Sequence, residues 1–324
     1  MVKYRLAIHV VNEGPLRSGS GVSVLFIAVR LPDYISIGNE SHRTMSLRTD
    51  GQGTTLPSLD GKYGPDEVSM DLTRCGLLVE KAETVARLYA RHRDWTVVEE
   101  KWTDERIDGR STRGSSKGIY RVLSSRFKTA SGALPSVGQL PSVFDQCETT
   151  RDKAQVLYFY LLEDDPLVKF AVHRYVGQLQ KSDVDGLDFE QDRIEQILDE
   201  FHYDDGSTFD YADSTTRRWG EGLRSIMREI DVLETRQTLQ GHIPNLGTVP
   251  LLVASGYSWE THGDDWLSRP TGWLYLFQPE QYWDSLAERV SEHPAWEASG
   301  IHGELRLQPV ENTYDWAETW EEDQ

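Results

Sequence analysis

Residues 149–162 read TTRDKAQVLYFYLL, and this stretch decides the fold. Thr149 with Asp152 three positions later is an amino-terminal capping pattern, and Ala154, Leu157, Tyr158, Leu161 and Leu162 recur at the spacing of a helix inside a core. Pro166 falls at a first helical position, where its missing N–H costs nothing, and opens a second core helix carrying Leu167, Phe170, Ala171 and Tyr175. Two adjacent core helices predict a bundle, and the flanking sequence continues the same period.

Upstream, Val79, Ala82, Val85, Ala86 and Tyr89 share one helical face, followed by Trp95, Val98 and Trp102 at steps of three and four. Ile119, Leu123 and Phe127 supply an apolar face for a further helix. Downstream, a helix beginning at Asp188 carries Ile194, Ile197, Leu198 and Phe201, and one from about Ser214 carries Trp219, Leu223, Ile226, Met227 and Ile230. After Leu233 the pattern breaks into a Gly/Pro-punctuated stretch, with short apolar runs at residues 249–254 and 273–277, a helix near residues 280–290 and a short strand at 303–307.

The expected fold is therefore mainly α. A helical bundle over residues 70–182 is followed by a winged-helix-like helical domain over 183–310 and an acidic, Trp-containing tail over 311–324 that is left unstructured. Residues 1–69 differ, with strand-like patches at 4–11 and 22–29 and a Gly/Ser/Thr/Pro-rich run from 46 to 65. They read as a weakly structured extension, and translation starting near Met70 is one reading of them.

The 324 residues carry 53 acids against 34 bases, a formal net charge of −19. Arginine far outnumbers lysine, a balance expected of a high-salt cytoplasm, with an acidic mesophile protein as the alternative. Cys75 and Cys147 lack CxxC spacing and predict small buried side chains in a reducing compartment. With no apolar run near the roughly 20 residues of a membrane span and no signal-peptide pattern, a soluble cytoplasmic protein is expected.

Against that acidity, Arg106, Arg110, Arg113, Lys117, Arg121, Arg126 and Lys128 cluster where the only acid is Asp108. The first five, at steps of four, three, four and four, would align on one side of a helix and suit phosphates. Gly109, Gly114 and Gly118 argue instead for a basic loop feeding a helix that starts near Ser115 or Ser116. A charge run is also commonly a solvated face. A second set, Arg217, Arg224 and Arg228 with Arg218 beside them, lies along the helix from Ser214, placed as the recognition helix of a winged helix-turn-helix would be; Glu221 and Glu229 dilute its charge.

Signals for catalysis are poor. Gly109-x4-Gly114 is followed by Ser115, Ser116 and Lys117, which is not the Gly-Lys-Ser/Thr order of a phosphate loop. Asp94 with Glu99-x-Lys101 has the order of a Mg²⁺-nuclease carboxylate pair, but that chemistry needs the acids on converging strands, and Trp95, Val98 and Trp102 impose a helix there. No metal or cofactor is expected.

Residues from Met70 to about Val290 resemble the BrxA family of BREX phage-exclusion systems. The resemblance rests on Leu72-Thr73-Arg74-Cys75-Gly76-Leu77-Leu78, the helix of Ala82 to Tyr89, Trp95, Arg121-Val-Leu-Ser-Ser-Arg126-Phe, Lys153-Ala-Gln-Val-Leu-Tyr-Phe-Tyr-Leu-Leu, Leu167-Val-Lys-Phe-Ala-Val and Ser214-Thr-Thr-Arg-Arg, in that order. It implies an all-helical, non-catalytic protein of antiviral defence that binds double-stranded DNA and works beside other BREX subunits. The alternatives are a protein-interaction subunit whose basic patch docks an acidic partner, and a Mg²⁺-dependent nuclease.

Overall fold

The computed structural model describes residues 56–68, 76–105, 107, 109, 112–181, 187–301 and 304–319. The chain divides between Arg43 and Thr44, and all of these residues belong to the second unit. Most of the expected amino-terminal extension, together with Arg106 and Arg110, lies outside them.

Among the described residues the fold is helical. Helices α1 (Val79–His92), α2 (Trp95–Asp104), α3 (Arg113–Thr129), α4 (Leu140–Asp145), α5 (Thr150–Asp164) and α6 (Pro166–Lys181) come first. Strand β1 (Leu187–Asp188), α7 (Gln191–Asp199), α8 (Asp213–Glu229) and β2 (Gln240–Gly241) follow. The chain closes with α9 (Thr248–His262), α10 (Thr271–Tyr275), α11 (Trp283–Ser291), the hairpin β3 (Trp296–Ile301) and β4 (Glu304–Pro309), and α12 (Trp316–Thr319).

At the centre, α5 starts with the capping box its sequence predicts: the Asp152 N–H donates to Thr149 Oγ1 at 3.1 Å and the Thr149 N–H to Asp152 Oδ2 at 2.9 Å. From Ala154 to Leu162 every residue of α5 is buried, against α1, α3, α6, α8 and α9. The Asp165 carboxylate caps α6, accepting from the Leu167 and Val168 N–H groups at 3.1 Å each.

The second buried helix, α9, corrects the short apolar run expected at 249–254. Every residue from Val249 to Ser258 is buried, so no polar face marks its period, and Pro250 sits in the first turn where its ring is tolerated. Helix α10 crosses it so closely that a Cβ on Gly272 would lie 2.0 Å from the Ala254 carbonyl oxygen. Ser258 Oγ accepts from the Gly272 N–H at 2.9 Å, and Ser255 Oγ accepts from Trp273 Nε1 at 2.9 Å.

The acidic tail is not left unstructured as far as Thr319. Thr313, Tyr314, Trp316 and Ala317 are buried, the Tyr314 hydroxyl donates to the Ala133 carbonyl at 2.6 Å, and Gln146 Nε2 donates to the Ala317 carbonyl at 2.8 Å. Its aromatic side chains outweigh its charge. Residues 56–68 likewise pack as a strap: Leu59 and Val68 are buried, the Gly61 N–H donates to the His202 carbonyl at 3.1 Å, and the Asp204 N–H donates to the Tyr63 carbonyl at 3.0 Å. Backbone bonds hold it, and those leave no side-chain period to read.

The basic segment is no single helical stripe. Helix α2 ends at Asp104 and α3 begins at Arg113, with Gly109 between them at a φ of 69°. Thr112 caps α3 by accepting from the Ser115 N–H at 3.2 Å, placing the start slightly before Ser115. A Cβ at Gly114 or Gly118 would meet nothing within 4 Å, so neither glycine is needed for packing. Gly118→Ala should stabilise the protein by about 1 kcal/mol in denaturant titration; no gain would contradict a helix running through Gly118.

Candidate nucleic-acid interface

Helices α2 and α3 run antiparallel. Trp102 Nε1 donates to the Ser116 carbonyl at 3.1 Å, and the Tyr120 hydroxyl donates to the Trp95 carbonyl at 2.8 Å. The same pairing engages three cations. Arg113 meets Asp104 at 3.0 Å, Lys117 meets Glu99 at 2.8 Å, and Lys128 Nζ stands 5.0 Å from the centre of the Trp95 ring, on which Tyr89 stacks. Arg121 is exposed and forms no ion pair with another described residue.

Arg126 is turned inward. It is 5 % exposed, and its Nη1 donates to the Gly76 carbonyl at 2.8 Å. Glu229, the last residue of α8, accepts from the Leu77 N–H, and a Cβ on Gly76 would lie 2.6 Å from Glu229 Oε1. Burial raises the Glu229 carboxyl above its ordinary value, against the pull of Leu77, Arg126 and Arg228. The entry to α1 is thus clasped between α3 and α8, and Arg126 cannot reach a phosphate outside the protein. The helical spacing of arginines carried no signal of this, because Arg126 shares the polar composition of its neighbours.

On α8, Arg217 and Arg218 are exposed while Arg224 and Arg228 are half-buried. Arg224 Nη1 and Nη2 both donate to Gln191 Oε1 at 3.2 Å, and Nη1 also to the Phe189 carbonyl at 3.3 Å, so this side chain braces α8 against α7. Burial lowers the Arg228 guanidinium below its ordinary value, and Arg236 and Arg224 lower it further as like charges. Arg217, Arg218, Arg228 and Arg236 form no ion pair with another described residue. Arg236 escaped the sequence reading because it lies past the helix, in a turn where Thr235 Oγ1 accepts from the Gln237 and Thr238 N–H groups at 3.2 Å.

Strands β1 and β2 bracket this helix pair, antiparallel, with Leu187 opposite Gly241 and Asp188 opposite Gln240. The residues with nuclease order lie along α2: Asp94 caps it by accepting from the Thr96 N–H at 2.8 Å, and Glu99 is engaged by Lys117. Among the described residues no group of three or more His, Cys, Asp and Glu is placed to hold a metal ion. The Cys147 thiol is pushed up to about 12 by burial, far from a nucleophile's range, and Cys75 lies outside the described residues. No helix among them is long and apolar enough to cross a membrane.

These features define a helical protein with scattered basic patches on an acidic body. A family model, BrxA, matches residues 67–254, more than half of the chain, and the protein belongs to the BrxA family. That membership supports a role in BREX phage defence, in a system with other subunits. No curated protein matches the chain. A crystal structure of an uncharacterized protein from Magnetospirillum magneticum is similar at 14% identity and a TM-score of 0.45, over 65% of this chain and 97% of that one. The family match ends inside α9, so α10 to α12 and the β3–β4 hairpin lie beyond it.

The Asp165 cap predicts a pH dependence. Burial raises its carboxyl to about 7, although Val168, Arg126 and Leu167 lower it. The folded value lies above the unfolded one of about 3.9, so the stability Asp165 contributes is full below about pH 4 and is lost as pH rises towards 7. Asp165→Asn keeps an oxygen for the Leu167 and Val168 N–H groups and removes the titration. Denaturant unfolding from pH 4.5 to 7.5 should show the wild type losing stability relative to the variant; a difference independent of pH would contradict the assignment.

Proposed function

We propose that this protein is a non-enzymatic subunit of a BREX system that contacts the phosphates of double-stranded DNA. The main contacts are Arg217, Arg218 and Arg228 of α8, joined by Arg236. The supporting observation is that Arg228 has Arg236 and Arg224 as neighbouring like charges, offset in part by Glu229, and that neither Arg228 nor Arg236 forms an ion pair with another described residue. The order α6, β1, α7, α8, β2 supports a winged-helix reading in which α8 is the second helix of the pair, although the connector between α7 and α8 is longer than a usual turn. Arg113, Lys117, Arg121 and Lys128 form a secondary contact set on α3, to which Arg106 and Arg110 belong by sequence. The reading needs no catalytic group.

Net charge does not forbid such contact. At physiological ionic strength fields fade over about 8 Å, so the acidic remainder is screened from a local basic patch. Each neutralised phosphate adds nearly one to the slope of log affinity against log salt. Titration of duplex DNA across salt concentrations should therefore show Arg228→Ala/Arg236→Ala weakening all sequences alike and lowering the slope by about two. Affinity and slope equal to wild type would remove α8 from any DNA role.

A further inference from the structure

We infer that α2 is an internal competitor for the phosphate-contacting cations of α3, so that α3 is masked until DNA displaces the α2 carboxylates. This regulation rests on the DNA reading above. Glu99 Oε1 lies 2.8 Å from Lys117 Nζ, and Asp104 Oδ1 lies 3.0 Å from Arg113 Nη2. The two cations are one helical turn apart on α3, and the carboxylates facing them are five residues apart on α2. A carboxylate oxygen and a phosphate oxygen offer a guanidinium or ammonium the same anionic acceptor, so the α2 acids occupy the places that phosphates would take.

The mask can lift without the helices parting. Val98 and Trp102 of α2 pack with Ile119, Tyr120 and Leu123 of α3 in the core, and the bonds from Trp102 to Ser116 and from Tyr120 to Trp95 are independent of the ion pairs. Both pairs sit in solvent, with side-chain exposures of 73% and 61% for Arg113 and Asp104, and 54% and 37% for Lys117 and Glu99. Exposed pairs of this kind hold weakly and are screened by salt, whereas a duplex gains by releasing condensed counterions. Phosphates presented to α3 would therefore displace the α2 acids. Arg121, which pairs with no described acid, stays open throughout.

Duplex titration with a double-mutant cycle tests this. Glu99→Gln/Asp104→Asn keeps side-chain shape and should bind about tenfold tighter than wild type. The gain should vanish in a Lys117→Ala/Arg113→Ala background. Glu288→Gln/Glu292→Gln, the same charge change at exposed sites on and just after α11, should shift affinity by no more than about twofold. A gain matched by the α11 control, or one that survives loss of Lys117 and Arg113, overturns the mask. So does wild-type binding that depends on α8 and is unmoved by the α2 substitutions, which leaves the DNA reading standing. Absence of duplex binding by both wild type and Glu99→Gln/Asp104→Asn at every salt overturns both, whereas binding by that variant alone supports both.

Discussion

The burial of α5 on all sides is the constraint on which the other helices depend. A helix without a solvated face must receive neighbours around its whole circumference, and α1, α3, α6, α8 and α9 supply them. Its fully buried Gln155 is positioned by polarity: Nε2 donates to the Ile230 and Asn245 carbonyls, both at 3.1 Å. Those carbonyls follow α8 and precede α9, so one side chain fixes where two helices meet the centre. The buried Ile230 carbonyl left without such a donor would cost about 1–3 kcal/mol.

Charge is arranged around that core in two ways. Some cations are structural: Arg126 clasps the turn before α1, Arg224 braces α7 against α8, and Arg151 meets Asp231 at 2.8 Å beyond the end of α8. Others stand at the surface, and these divide again. On α3, Arg113 and Lys117 face acids of α2, whereas Arg228 of α8 has Arg236 and Arg224 as neighbouring cations, with Glu229 partly offsetting them. A cation's place in the sequence does not separate these groups; the helix packed against it does.

That distinction sets how much was legible in the sequence. Capping chemistry and apolar period located α1, α2, α5 and α6 closely, because each has either a polar face or a side-chain cap. Helix α9 lacked a polar face and read as a short run, while the tail read as solvated because its charges were counted ahead of Tyr314 and Trp316. Both glycine-rich and basic, residues 106–118 suit a loop and a helix alike by composition, and the Thr112 cap fixes where α3 starts. Of the predicted contact residues, Arg126 proved internal because Gly76, 50 positions away, accepts its hydrogen bond. Long-range partners of that kind leave no local spacing.

The proposed phosphate-contacting surface lies on α8 and the turn holding Arg236. Hydrogen–deuterium exchange of the full chain, with and without duplex DNA at low salt, tests it most directly. Slowed exchange across residues 213–238 on adding duplex, with α11 and the β3–β4 hairpin unchanged, is the predicted result. Unchanged exchange across 213–238, or protection confined to the carboxyl-terminal elements, would contradict it.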